Sequence, residues 1–224
     1  MQQIARDVFH LPLMPRNAVN AYLAGTVLVD TGMRSSAGGI TKALAGHEVT
    51  AIALTHAHGD HVGSARKLAN ELGVPVWVGA GDREATESGK AVTRPAFRKP
   101  GLSTIAGALA NFPCVPVARE LQEGDEIGDG FVVLDAPGHS PGHVVFWREA
   151  DRVLIGGDVF FNMNLLTTAP GLRQPPGAFT VDPARNRESE RRLAGLSPAV
   201  AGFGHGPVLS TDTTAKLDAF VAKL

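Results

Sequence analysis

Apolar positions along the chain fall into short runs, and their spacing changes from strand-like to helix-like and back. Three runs with few polar breaks, 4–9, 19–23 and 26–29, predict strands, with Ala24-Gly25 as a hairpin turn between the last two. Asp30-Thr31-Gly32 ends the third run with turn chemistry. Helical spacing takes over at 35–45, where Ile40 and Leu44 share a face and Gly46 offers a stop. Residues 49–54 predict a strand. Ala65, Leu68, Ala69 and Leu72 then line one side of a helix over 62–72, closed by Gly73, before strand character returns at 74–78.

The second half repeats this rhythm. A short helix at 81–88 leads into 89–114, rich in Pro, Gly, Arg and Lys, which reads as an insertion or flap because strands resume on both sides. Strands follow at 131–134, 144–147 and 153–155, then a loop over 162–177 and a polar helix over 183–193. A short strand at 199–201 and a closing helix over 211–224 complete the chain. Strands in both halves with helices between them predict a single α/β domain over 1–224. Its two sheets pack face to face with helices outside, as a four-layer αββα sandwich.

Composition narrows the function. At 224 residues the chain can bury a sizeable core. A net charge of −1 provides no basic field for nucleic acid or anionic lipid. The single cysteine, Cys114, has no partner for an internal disulfide and no thiolate metal spacing. No run approaches the roughly 18 apolar residues of a membrane span. Arg6 and Asp7 interrupt the start of the chain where a secretion signal needs apolar residues. The expectation is a soluble cytoplasmic protein with a small-molecule substrate and neither nucleic acid nor membrane as partner.

The candidate chemistry lies at 55–61, Thr-His-Ala-His-Gly-Asp-His, where four metal-binding side chains fall within six positions. His56 and His58, two apart at a strand end, project to one side and can share an ion. Asp60 and His61 follow Gly59, where the chain turns and carries them toward a second ion. His139 sits between Gly138 and Ser140 after a strand, Asp158 follows Gly156-Gly157 at a strand end, and His205 lies between two glycines. Any one of these alone reads as a capping aspartate or a surface histidine. The density at 56–61 does not, since packing needs no such group. Imidazoles with carboxylates and no thiolate suit zinc foremost, with manganese, iron or cobalt as other occupants. Two metals roughly 3.5–4 Å apart would share a hydroxide of lowered pKa. His10, His47 and His143 read as structural, His143 being placed to support His139.

These residues resemble the signature of the metallo-β-lactamase-fold hydrolases, His-x-His-x-Asp-His, here His56 to His61. Asn20-Ala21-Tyr22-Leu23 and Asp30-Thr31-Gly32 are similar to the family's first hairpin and Asp-Thr-Gly loop. Pro137-Gly138-His139-Ser140-Pro141-Gly142-His143, Gly157-Asp158 and Gly204-His205-Gly206-Pro207 match its later motifs in order. The resemblance implies a first metal on His56, His58 and His139, a second on Asp60, His61 and His205, and Asp158 bridging both.

The implied activity is hydrolysis of a small ester, thioester or lactone by a glyoxalase-II-like enzyme with two zinc ions, Asp60 orienting the hydroxide and passing a proton to the leaving group. Glyoxalase II itself carries Gly-Cys-Gly-Arg where this chain reads Phe160-Phe161-Asn162-Met163-Asn164, and adds a helical domain for which no residues follow Leu224. The lactonases of the family place a tyrosine at Phe161, whose ring cannot donate a hydrogen bond. An iron dioxygenase of the persulfide type and a β-lactam hydrolase are the alternatives. Phe161, Phe97 and Arg94 are candidate substrate contacts, and 89–114 is also a surface through which copies of the chain could associate.

Overall fold

The computed structural model describes residues 1–92 and 111–224. Among them one sheet holds β1 (Gln2–Ala5), β2 (Val8–Pro12), β3 (Asn20–Ala24), β4 (Val27–Val29), β5 (Ala51–Leu54), β6 (Val76–Gly79) and β7 (Arg119–Leu121), in that spatial order. It is antiparallel from β1 to β4 and parallel from β4 to β7. A second sheet holds β8 (Glu126–Gly128), β9 (Phe131–Asp135), β10 (Val144–Arg148) and β11 (Val153–Ile155). The last strand, β14 (Val200–Gly202), joins it parallel to β11. Between them, β12 (Phe161–Met163) and β13 (Pro170–Arg173) form a separate hairpin.

Side-chain alternation builds the layers. In the first sheet Ala21, Leu23, Leu28, Ile52 and Leu54 face outward, beneath α1 (Ala37–Ala43), α3 (Ala65–Leu72) and α4 (Arg83–Ser88), with the one-turn α2 (Gly59–Val62) preceding α3. Their neighbours Tyr22, Ala24, Val27, Val29 and Ala53 point the other way and meet Phe131, Val133, Val144, Phe146, Val153 and Ile155 of the second sheet. Val145, Trp147 and Leu154 then face α5 (Pro183–Ala194) and α6 (Thr213–Val221) through Leu193, Ala194 and Leu217. A strand period of two therefore feeds three apolar layers, which is the αββα sandwich expected from the sequence.

Several boundaries differ from the sequence reading. The run at 4–9 is not one strand: Asp7, at φ +55°, turns the chain back, and its carbonyl accepts from Gly25 N at 2.8 Å. The helix expected over 62–72 is two, broken at Gly63, where an added Cβ would lie 2.4 Å from the Gly59 carbonyl. Residues 162–177 are not simply a loop, because the β12–β13 hairpin occupies much of them. The polar strands β7 and β8 went unread, and the strand expected at 199–201 runs from Val200 to Gly202. Within 89–114, Lys90 and Asn111 form an antiparallel bridge, and the Phe112 amide donates to the Gly89 carbonyl at 3.0 Å. Phe97 and Arg94 lie outside the described residues. No helix among those described is long and apolar enough to cross a membrane.

One buried acid belongs to this scaffold rather than to the metal cluster. Glu190 on α5 is fully buried, with Gln174 and Asn186 each donating to it at 3.2 Å. Burial raises its pKa to about 7, against the opposing pull of Gln174, Arg187 and Arg191. Between the ordinary value of 4.5 and about 7 the folded chain therefore holds a proton that the unfolded chain has lost, so stability falls as pH rises through that window. Glu190→Gln should raise the melting temperature relative to wild type at pH 8 and leave it nearly unchanged at pH 4.5. An equal shift at both pH values would show that ionisation is not the cause.

Candidate metal centre

The loops that leave the C-terminal ends of β5, β9, β11 and β14 converge at one edge of the sandwich. They carry His56 and His58, His139, Asp158 and His205 respectively, while α2 supplies Asp60 and His61. All seven sequence-nominated residues come together. His56, His58, His139 and Asp158 offer donor atoms mutually within 4.8 Å, and so do Asp60, His61 and His205.

Asp158 lies between the two groups. Its Oδ2 is 3.4 Å from His139 Nε2, 3.8 Å from His56 Nε2 and 3.3 Å from His205 Nε2. Its Oδ1 is 3.4 Å from His61 Nε2. Gly204 leaves room for this, since a Cβ there would sit 2.1 Å from Asp158 Oδ1. Gly138, at φ +135°, sets the path into His139.

The outward ring nitrogens show which atoms face inward. His61 Nδ1 donates to Asp30 Oδ2 at 2.9 Å, and His205 Nδ1 donates to the Ala18 carbonyl at 2.6 Å. Thr55 Oγ1 spends its hydrogen on Asp30 Oδ2, so it accepts from His56 Nδ1 at 3.0 Å. Thr180 Oγ1 donates to the Pro176 carbonyl, so it accepts from His139 Nδ1 at 3.3 Å. In their neutral forms these four imidazoles would turn Nε2 lone pairs inward. His58 Nδ1 stands 3.0 Å from His56 Nε2 and 2.9 Å from His139 Nε2, where at most one hydrogen serves three nitrogens. His61 Nε2 and Asp158 Oδ1, both buried, have no hydrogen-bond partner. Lone pairs aimed at lone pairs and at carboxylates fit divalent cations, and this donor set suits them.

The electrostatics divide these histidines: His56 and His139 stay neutral, whereas His61 and His205 hold a proton that a divalent cation would displace. Burial, then neighbouring imidazoles, hold His56 and His139 well below the usual histidine range. At His61 and His205 burial is outweighed by the carboxylates: Asp158, Asp30 and Asp60 push His61 well up, and Asp158 with Asp60 takes His205 to about 10. The same negative field attracts a metal ion. Asp60 is held far below the usual carboxylate range, because His61 and His205 overcome its burial. Asp60, like the half-buried His58, is one of the more open candidate ligands, its side chain 22% exposed against 5% or less at His56, His61, His139, His205 and Asp158.

Some supporting groups were not assigned from sequence. Asp30 and Thr55 were quoted only as motif letters, and Thr180 and Asp82 gave no signal. Tyr22 anchors the β14 loop by donating to the Phe203 carbonyl and accepting from its amide, both at 2.8 Å. His143, expected beside His139, packs edge-on against it with centroids 6.1 Å apart; it also accepts from the Asp158 amide at 3.0 Å and stacks on His56, with centroids 4.9 Å apart. His10 meets Asn20 Oδ1 at 2.8 Å and stacks on Tyr22, and His47 packs edge-on against Phe9. The buried Phe161 ring lies 4.4 Å from His205 and 6.3 Å from His139.

A model of the metallo-beta-lactamase superfamily matches residues 14–205. Bacillus subtilis (strain 168) has a similar protein named "Probable metallo-hydrolase YflN", 31% identical over 198 residues, covering 80% of this chain and 75% of that one. A hydroxyacylglutathione hydrolase of Methylococcus capsulatus is 31% identical over 166 residues, 69% of this chain and 52% of its own length. Among solved structures, TTHA1623 in a di-iron-bound form superposes with a TM-score of 0.70 at 33% identity, covering 95% of this chain and 99% of that one.

Proposed function

The chain belongs to the metallo-beta-lactamase superfamily, and from that premise we propose that it is a metal-dependent hydrolase using two cations to cleave a small ester, thioester or lactone. The observation that carries this reading is Asp158, whose two oxygens face both ligand groups. His56, His58 and His139 would hold one ion, Asp60, His61 and His205 the other, and Asp158 both. Cations bound there would supply Lewis acidity toward a carbonyl and lower the pKa of water.

The chain's own groups account for the rest. Asp60 is ionised and reaches both the interior and solvent, so it can accept a hydrogen from the attacking water, orient it, and return the proton to the leaving group. Asp30, Thr55, Thr180 and the Ala18 carbonyl fix the imidazole rings, so little reorganisation is needed during turnover. Phe161 supplies an apolar wall beside His205. Zinc is the metal that best suits the donor set. The di-iron-bound form of TTHA1623 favours iron as the other occupant of these sites; an iron-dependent oxygenase is the competing activity.

Metal analysis of protein purified without added metal, paired with a screen of thioesters, lactones and β-lactams, tests both readings. Two zinc ions per chain and turnover of at least one ester, thioester or lactone, lost on chelation and restored by zinc, is the expected result. One iron per chain with no hydrolysis would reject the proposal in favour of oxygenation.

A further inference from the structure

Asp82 lies outside the ligand set, at the end of the 3-10 turn Ala80–Asp82 that follows β6, and it is fully buried. Its position before α4 suggests a helix cap, yet its side chain makes no capping hydrogen bond. Instead Oδ2 accepts from the Ala57 amide at 2.9 Å and from Ser140 Oγ at 2.6 Å, while Oδ1 accepts from the Gly142 amide at 2.8 Å. Ala57 is the residue between His56 and His58, and Ser140 is the residue after His139.

We infer that Asp82 is a positioning residue for the first ion: it locks the His56–His58 loop of one sheet to the His139 loop of the other. The backbones there leave no space for a substitute arrangement. A Cβ on Gly79 would lie 2.1 Å from the Gly142 carbonyl oxygen, and one on Gly142 would lie 2.2 Å from the Asp82 amide. A carboxylate accepting three hydrogen bonds, two from backbone amides, is a strong clamp in such a dry place. Removing it strands the Ala57 and Gly142 amides and releases a buried anchor that both loops share. The second group is secured elsewhere, His61 by Asp30 and His205 by the Ala18 carbonyl. The effect of Asp82 is therefore confined to one site.

This inference rests on the two-ion reading, and the experiment separates the two. Zinc binding is titrated against a chromophoric chelator for wild type and Asp82→Asn, with melting temperatures measured on the metal-free proteins. Asparagine keeps the shape but turns an N–H toward a donor. Wild type should show two resolvable binding events. In the variant one event should weaken roughly 10–100-fold, the range for outer partners of metal ligands, while the other is unchanged. Asp82→Ser, smaller and still able to accept one hydrogen bond, should show the same selectivity if the asparagine variant fails to fold. Equal weakening of both events, or a lowered melting temperature with both affinities intact, would overturn the positioning role. Fewer than two events in wild type would instead reject the two-ion reading, and the inference with it.

Discussion

Asp158→Ala should lower hydrolysis by roughly 10³–10⁵-fold, about 4–7 kcal/mol of transition-state stabilisation. The carboxylate faces four imidazoles, and among the described residues the only other acid grouped with them as a possible ligand is Asp60. Without it two dications would share one anionic ligand, and the Nε2 atoms of His61 and His205 would lose the oxygens opposite them. Steady-state rates on whichever substrate the screen identifies, together with metal content after dialysis, provide the check. Retention of both ions and wild-type turnover would disprove the shared-ligand assignment. Asp60→Ala should also abolish turnover, but with the first ion retained, because Asp60 stands only in the second group.

Phe146→Ala should destabilise the fold by about 3–5 kcal/mol, as truncating a buried aromatic leaves a cavity that its neighbours fill only in part. The ring is fully buried between the two sheets, among Val133, Val144 and Ile155. Neighbouring strands hydrogen-bond β10 on both sides, so the backbone cannot close over the gap. That loss is a large part of a typical 5–15 kcal/mol total. Urea unfolding in the presence of a chelator isolates the effect from metal binding. A change under 1 kcal/mol would mean the inter-sheet layer is looser than its burial implies.

Elements with a strong local pattern are legible in the sequence, and those set by distant contacts are not. Alternating residues such as Tyr22-Leu23 and Leu154-Ile155 declare opposite faces, so the layers could be read before any coordinates. The ligand cluster was legible because His56 to His61 is too polar for the apolar run that precedes it. Asp7 was missed since a positive φ at a non-glycine residue leaves no compositional mark. Polar β7, Arg119-Glu120-Leu121, is a strand because it pairs with β6 at the edge of the sheet, and that is a tertiary fact. Asp82 and Thr180 act on residues 25 to 60 positions away, beyond any local window.

Phe161 opens the β12–β13 hairpin against the histidines, whereas Leu166, in the turn between its strands, is 95% exposed. The hairpin belongs to neither large sheet, and none of the seven candidate ligands sits on it. Changes confined to its tip would leave the candidate ligands in register, whereas β12 itself is tied to the His205 loop, the Asn162 amide donating to the His205 carbonyl at 2.9 Å. The length and sequence of that tip can thus vary at little cost to the proposed metal centre.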